Sequence, residues 1–222
     1  MEMSRGEISQ LNNVEEVFDI YDANMNNIGT APRSEVHAKG LWHQTFQCWI
    51  VSHEAPEPKL LLQLRHPDKD LFPSLLDISC AGHLSAGETI QDGVRELEEE
   101  LGLRVNFSDL LACGVFAEDD ILSERLIDRE FCHVFIYRCD QPLNDYLLQP
   151  DEVSGIVAVN AMELERLVKQ EAEQIKASGF KLQEDGQLEE VHSVIVLTDL
   201  VPHPIAYFDL LFRTLKQNHW LA

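Results

Sequence analysis

Three glutamates, Glu96, Glu99 and Glu100, stand at helical neighbour spacing within the run Arg95–Leu101 (RELEEEL). At about 100° of rotation per residue they gather in roughly one third of a helix circumference, while Val94, Leu97 and Leu101 fall on a different side. One face of such a helix packs and the other concentrates negative charge. Like charges at this spacing repel, so the trio calls for a counter-charge. A hard divalent cation supplies it economically, because Mg²⁺ takes carboxylate oxygen together with water and substrate phosphate. A solvated acidic face would account for the run if it stood alone. It does not, because a Gly-rich loop, Ala81–Gly87 (AGHLSAG), leads directly into it.

Gly82, Glu88, Arg95-Glu96 and Glu99-Glu100-Leu101-Gly102-Leu103 follow one another at nearly fixed separations. The stretch resembles the Nudix box, whose pattern is G-x5-E-x7-R-E-U-x-E-E-x-G-U, with U an aliphatic residue. One separation departs from it: six residues lie between Glu88 and Arg95 where the family has seven. The shortening falls in Thr89–Val94, where Gly93 can ease an altered first turn. Arg95–Leu103 keeps its internal spacing. The resemblance implies Mg²⁺ or Mn²⁺ as cofactor, with Glu99 and Glu100 as principal ligands and the Ala81 carbonyl as a backbone ligand. Glu96 would be a ligand or the general base. Arg95 would orient the glutamates, Glu88 would tie loop to helix, and Gly102 would close the box.

The wider chain fits a small-molecule enzyme. Its 222 residues suit one decorated domain or at most two small ones, with 45% apolar residues for a core. Seventeen basic residues against 39 acidic give a net charge of −22. That composition argues against a nucleic-acid or anionic-membrane surface, and an anionic substrate would need cations in between. Five cysteines without CxxC spacing read as reduced core residues. The start, MEMSRGEISQ, lacks the basic and apolar regions of a leader, and no apolar run reaches membrane-spanning length. The expectation is a cytoplasmic protein, with a homodimer possible.

The elements that must position the box follow from patterning. Residues 1–14 are polar and expected to be loose. Glu16–Tyr21 and Ile28–Pro32 read as a hairpin around the turn Asp22–Asn27. Thr45–Ser52 and Lys59–Arg65 are strands, with Glu54–Pro58 a loop between them, and Leu76–Cys80 is a short strand delivering the box loop. Arg65 and Lys69 are candidates for holding a phosphate, as are Gly82 and His83 in the loop for contacting substrate. Leu110–Glu118, Arg125–Cys139 and Pro150–Val159 are further strands. In the second of these Asp128, Glu130 and Cys132 share a face, so Glu130 is a reserve candidate for base. Asn160 caps a helix expected over Ala161–Ser178 and ended by Gly179. Residues 183–187 make a turn, the VHSVIVLTDL segment a strand or buried stretch, and Ile205–Leu215 a closing helix. The fold class is α/β or α+β with a core over about 40–165, an N-terminal hairpin and a helical C-terminal extension over 166–222. The family resemblance makes the core a mixed sheet sandwiched between helices.

Several pieces outside the box, VHAKGLWHQTFQCWIV, KLLLQLRHPDKDLFPSLLDISCAGH, DREFCHVF and DEVSGIVAV, resemble the branch of the family that includes isopentenyl-diphosphate isomerase. That isomerase uses a Cys two residues before its loop His, and holds metal with histidines and two Glu two residues apart. By resemblance, His83 matches the loop His, His37 and His43 the upstream pair, and Asp128 and Glu130 the acidic pair. Ala81 stands where the isomerase has its Cys, and Cys80, one residue earlier, would face the other side of a strand. Losing that thiol while keeping Glu96, Glu99 and Glu100 points to hydrolysis of a diphosphate substrate in an isomerase-like body. An isomerase and a non-catalytic ligand-binding protein are the alternatives. Trp42, Trp49 and Phe116 could stack a base or pack the core.

Overall fold

The computed structural model describes residues 15–53, 57–123, 126–183 and 185–221. The segment 1–14, residues 54–56 of the expected loop, Arg125 and Glu184 lie outside them. A hairpin of β1 (Val17–Tyr21) and β2 (Asn27–Pro32) comes first, followed by α1 (Arg33–Lys39). Its turn forms as the Asn/Asp content predicts: the Asp22 carboxylate accepts from the backbone of Asn24 and Asn26. Nine further strands make one sheet. They are β3 (His43–Ser52), β4 (Lys59–Arg65), β5 (Leu76–Asp77), β6 (Cys80–His83), β7 (Leu111–Ser123), β8 (Leu126–Arg138), β9 (Val153–Asn160), β10 (Ile175–Leu182) and β11 (Leu188–Ile195). The order across the sheet is β11-β10-β9-β4-β3-β8-β7, with β5 on β4 and β6 on β3. Among the described residues only the β3–β8 strand pair is parallel, so the sheet is mixed, as expected.

Alternation along β3 explains the layers. Trp49 and Val51 enter one core with α3 (Ala161–Val168) and α4 (Ile205–Gln217), whereas Phe46, Cys48 and Ile50 enter a second core with α2 (Arg95–Leu101). Leu97 and Leu101 are wholly buried there, each contributing about 1.5–3 kcal/mol. Helices therefore cover both faces, and α2 is pinned by its apolar side with its carboxylates turned toward the rest of the box.

Two expectations are corrected. The helix over 161–178 stops at Val168, because Gln170 takes a left-handed backbone (φ 58°) and Ile175–Leu182 forms β10. Gly179 is no helix terminator. It pairs with Val157, and a Cβ there would lie 2.0 Å from the Ile156 carbonyl oxygen. The extension over 166–222 is accordingly a hairpin followed by one helix. The single strand expected over Leu76–Cys80 is two, since the chain changes partner from β4 to β3. Ser79 makes the change, its hydroxyl donating to the Leu61 carbonyl at 2.5 Å and accepting from the Ile50 amide at 2.8 Å.

Candidate active site

A cavity of about 500 Å³ opens between the box, β5, β7 and β8. The box forms its first wall. Residues Asp92–Val94 make a 3₁₀ turn before α2, which absorbs the one-residue shortening. Gly93 lets that turn sit close to β3, as a Cβ there would meet Phe46 at 2.6 Å. Arg95 still reaches Glu88 through two bonds of 2.8 and 3.0 Å, while Ser85 donates its amide to Glu88 at 2.7 Å. The same guanidinium donates to Glu96 at 2.6 Å, Glu99 at 2.9 Å and the His83 carbonyl at 3.2 Å. The loop–helix brace thus survives the shorter turn. Gly102 ends α2 in the left-handed conformation (φ 70°) that glycine adopts freely.

Glu96 and Glu100 are buried, whereas Glu99 is exposed at the cavity mouth. Gly82 lies so close to Glu96 that a Cβ would fall 2.1 Å from its carboxyl carbon, so any larger residue there would displace that carboxylate. The Ala81 amide points at Glu100 across 3.4 Å. Burial, offset only in part by Arg95, pushes Glu96 up to about 7. Burial and then the neighbouring Glu96 push Glu100 up to about 8. These are carboxyls short of positive charge, the condition a divalent cation relieves. Cys80 is fully buried on the core side, and burial raises its thiol well above the usual range. Ala81, not Cys80, lines the cavity.

A second group assembles from four distant elements. His37 on α1, His43 on β3 and His83 on β6 bring ring nitrogens within 4.8 Å of one another, and His43 shares the same closeness with Asp128 and Glu130 of β8. Asp128 Oδ1 lies 3.7 Å from both His37 Nε2 and His43 Nε2, and Glu130 Oε1 lies 3.5 Å from His83 Nε2. The three Nε2 atoms and Asp128 Oδ1 are buried without a hydrogen-bond partner. Buried polar atoms left unpaired are rare, and four aimed at one another fit a shared cation. His43 Nδ1 lies 3.1 Å from the Leu41 carbonyl. A carbonyl only accepts, so the proton sits on Nδ1 and the Nε2 lone pair is free. Burial lowers both His37 and His43 to about 4, keeping them neutral, the form that ligates. Burial opposes the charge on Glu130, but the nearby His83 and His43 outweigh it and hold that carboxyl low. Asp128 is pushed up by burial and by Glu130.

The remaining wall contains residues that patterning did not single out. Glu118 and Asp120 of β7 stand directly opposite Glu130 and Asp128 of β8, so four carboxylates form a block on the cavity side. His203, carried in beside β5 by the Val201 amide donating to the Leu76 carbonyl, lies 3.1 Å from Glu118 and 3.2 Å from Asp77. Burial works against its charge, but bonding to these carboxylates prevails and raises it to about 10. The alternation Glu118-x-Asp120 was the available signal for the first pair. A His between Pro202 and Pro204 carried none. The candidate phosphate-holding residues do line the cavity, but Arg65 is bound to Asp77 at 2.8 Å and to the Leu71 carbonyl, and Lys69 to Glu152. Trp49 is in the core, Trp42 stacks on Phe131, and Phe116 meets Tyr207 edge to face.

A mixed sheet between helices, with an acidic cavity built on a Gly-loop-Glu-helix unit, defines a small-molecule hydrolase class that generally works with divalent metal. The NUDIX domain family model matches residues 43–181. The chain is 40% identical over 205 residues, 92% of its length, to an uncharacterised Nudix hydrolase of Clostridium acetobutylicum, covering 99% of that protein. It is also 32% identical over 156 residues to isopentenyl-diphosphate Delta-isomerase 2 of Photorhabdus laumondii, covering 70% of this chain and 83% of that one. A crystal structure of a Deinococcus radiodurans protein shares the fold at a TM-score of 0.54 and 20% identity, covering 70% of this chain and 90% of that one. The protein belongs to the Nudix hydrolase family and is an enzyme of it. His37 and His203 lie outside the matched span. Among the described residues no helix is long and apolar enough to cross a membrane.

Proposed function

We propose that the protein hydrolyses a phosphoanhydride bond in a diphosphate substrate, of the nucleoside-diphosphate type or another, with Mg²⁺ or Mn²⁺ held on its carboxylates. One observation carries this reading. Among the described residues, every Arg and Lys lining the cavity is already paired: Arg33 with Glu16, Arg65 with Asp77, Lys69 with Glu152, and Arg95 with three glutamates. With no unpaired Arg or Lys among the described lining residues, metal is the counter-charge this reading assigns to a diphosphate. When bound, the metal would supply charge neutralisation and a more acidic water.

Glu99, Glu100 and the Ala81 carbonyl would hold that cation, with His37, His43, His83, Asp128 and Glu130 holding a second. Arg95 fixes Glu96 and Glu99 in place. Glu96 is the better base: its carboxyl lies near neutrality, where a proton acceptor works best, whereas Glu130 is held low by its histidines. Gly82 and His83 border the space a phosphoryl group would fill.

The histidine–acid cluster also favours a second reading, an isopentenyl-diphosphate isomerase-like activity, since that enzyme resembles this chain in those residues. Against it, there is no cysteine among the described residues lining the cavity. The test is a turnover panel with Mg²⁺ or Mn²⁺ over nucleoside di- and triphosphates, ADP-ribose and isopentenyl diphosphate. Released phosphate or split pyrophosphate supports hydrolysis; an isomerised diphosphate without phosphate release replaces it with the second reading.

A further inference from the structure

Phe18 lies on β1, outside the span that matches the family, and is wholly buried. Its ring lies flat on His83 (centroids 4.7 Å, planes 8° apart) and on His43 (5.3 Å, 11°), and meets His37 edge-on at 6.4 Å. A ligating imidazole must have its plane fixed as well as its position, and a bond from the other ring nitrogen is the usual device. His43 has one in Leu41. Rotation about the bond to an aromatic ring is otherwise soft, and a flat neighbour pressed on the ring face removes that freedom. Phe18 is itself anchored. It pairs with Ala31 in the hairpin and bridges to Ser85, while Ala86 donates to the Val17 carbonyl at 2.7 Å and Gly87 to Asp19 at 2.8 Å. The hairpin is thereby bolted to the loop that carries His83.

We propose that Phe18 is a positioning residue for a cation at the histidine cluster: its ring sets the planes of His43 and His83 so that their Nε2 atoms converge with that of His37. This rests on reading the cluster as a cation site. The hairpin is then a working part of the active site, holding two ligand rings by their faces.

The test uses the full chain with Glu99→Gln and Glu100→Gln, which leaves the histidine cluster to be titrated by itself. Mn²⁺ is added and the free aqueous ion followed by electron paramagnetic resonance, in this parent, with Phe18→Leu added, and with Ile20→Ala added. Ile20 is packed in the same small hairpin core, so its truncation loosens the hairpin without removing the flat contact. Thermal unfolding is recorded for each; should Phe18→Leu lose its cooperative transition, Phe18→Met, which keeps more of the volume, replaces it. Phe18→Leu is expected to raise the Mn²⁺ dissociation constant about 10–100-fold, and Ile20→Ala to change it less than about twofold. Parent-like binding by Phe18→Leu overturns the proposal alone, as does an equal loss in Ile20→Ala. A parent that takes up no Mn²⁺ overturns the cation site itself, and the role of Phe18 with it.

Discussion

The two groups proposed to hold cations are built in opposite ways. The glutamate wall comes from one contiguous stretch, residues 81–103, and brings its own counter-charge in Arg95. The histidine–acid cluster draws on α1, β3, β6 and β8, and sets the neutral rings of His37 and His43 beside two unlike carboxyls. A local motif fixes ligand positions through helix geometry, whereas a dispersed cluster depends on the whole sheet and on packing behind each ring. Ligand chemistry separates them too: all-oxygen donors suit Mg²⁺, and imidazoles beside carboxylates suit Mn²⁺ and later transition ions.

The sharpest way to break the comparison is to remove the glutamate ligands. Glu99→Gln with Glu100→Gln should reduce metal-dependent turnover by several kcal/mol of lost charge stabilisation, about 10³-fold, while Mn²⁺ binding at the histidine cluster persists. Steady-state assays alongside metal titration would show it; loss of both together would mean a single shared site. His43→Ala should act the other way, weakening Mn²⁺ by more than about 100-fold, since even outer partners of ligands cost 10–100-fold.

His203→Gln leaves Glu118 buried without its cation and Asp77 with Arg65 alone, and should cost about 3–5 kcal/mol in urea unfolding. Glu118→Gln in the same chain should recover part of that, a coupling read from a double-mutant cycle. The next effect depends on pH. Glu96 at about 7 and Glu100 at about 8 must give up protons to a cation, so Mg²⁺ affinity at this wall should rise between about pH 6 and 8, up to about tenfold per unit for each proton displaced. Calorimetry in buffers of different ionisation enthalpy counts those protons. Without metal the sign reverses for stability. The folded chain keeps protons that the unfolded chain releases near 4.5, so these two groups make stability fall as pH rises from there toward 8. The smallest change is expected for Lys69→Ala, within about threefold in KM, because its partner is Glu152 and such part-exposed pairs contribute little.

The sequence made the glutamate wall legible because helical spacing converts directly into a face. Arg95, Glu96, Glu99 and Glu100 stand where their order required, and even the missing residue before Arg95 was taken up within one turn. The histidine cluster was legible only through resemblance, since nothing in the separation of His37, His43, His83 and Glu130 announces that a parallel β3–β8 pairing sets His43 opposite Glu130. The strand β10 was misread for a related reason. Helix-favouring residues over 161–173 masked the alternation of buried Ile175, Ala177 and Gly179, and it is β9 alongside that forbids a side chain at 179. Phe18 and His203 gave no local sign because each matters through what it touches.

The placement of His203 also orders events in time. A chain growing from its N-terminus has the hairpin, all three clustered histidines and the glutamate helix before it has residue 203. Until then Asp77 and Glu118 stand without the imidazole that ties β5 to β7, and Glu118 faces Glu130 across the β7–β8 pair without it. The acidic wall therefore closes last, when the segment ahead of α4 docks, after every residue of the glutamate motif has already been translated.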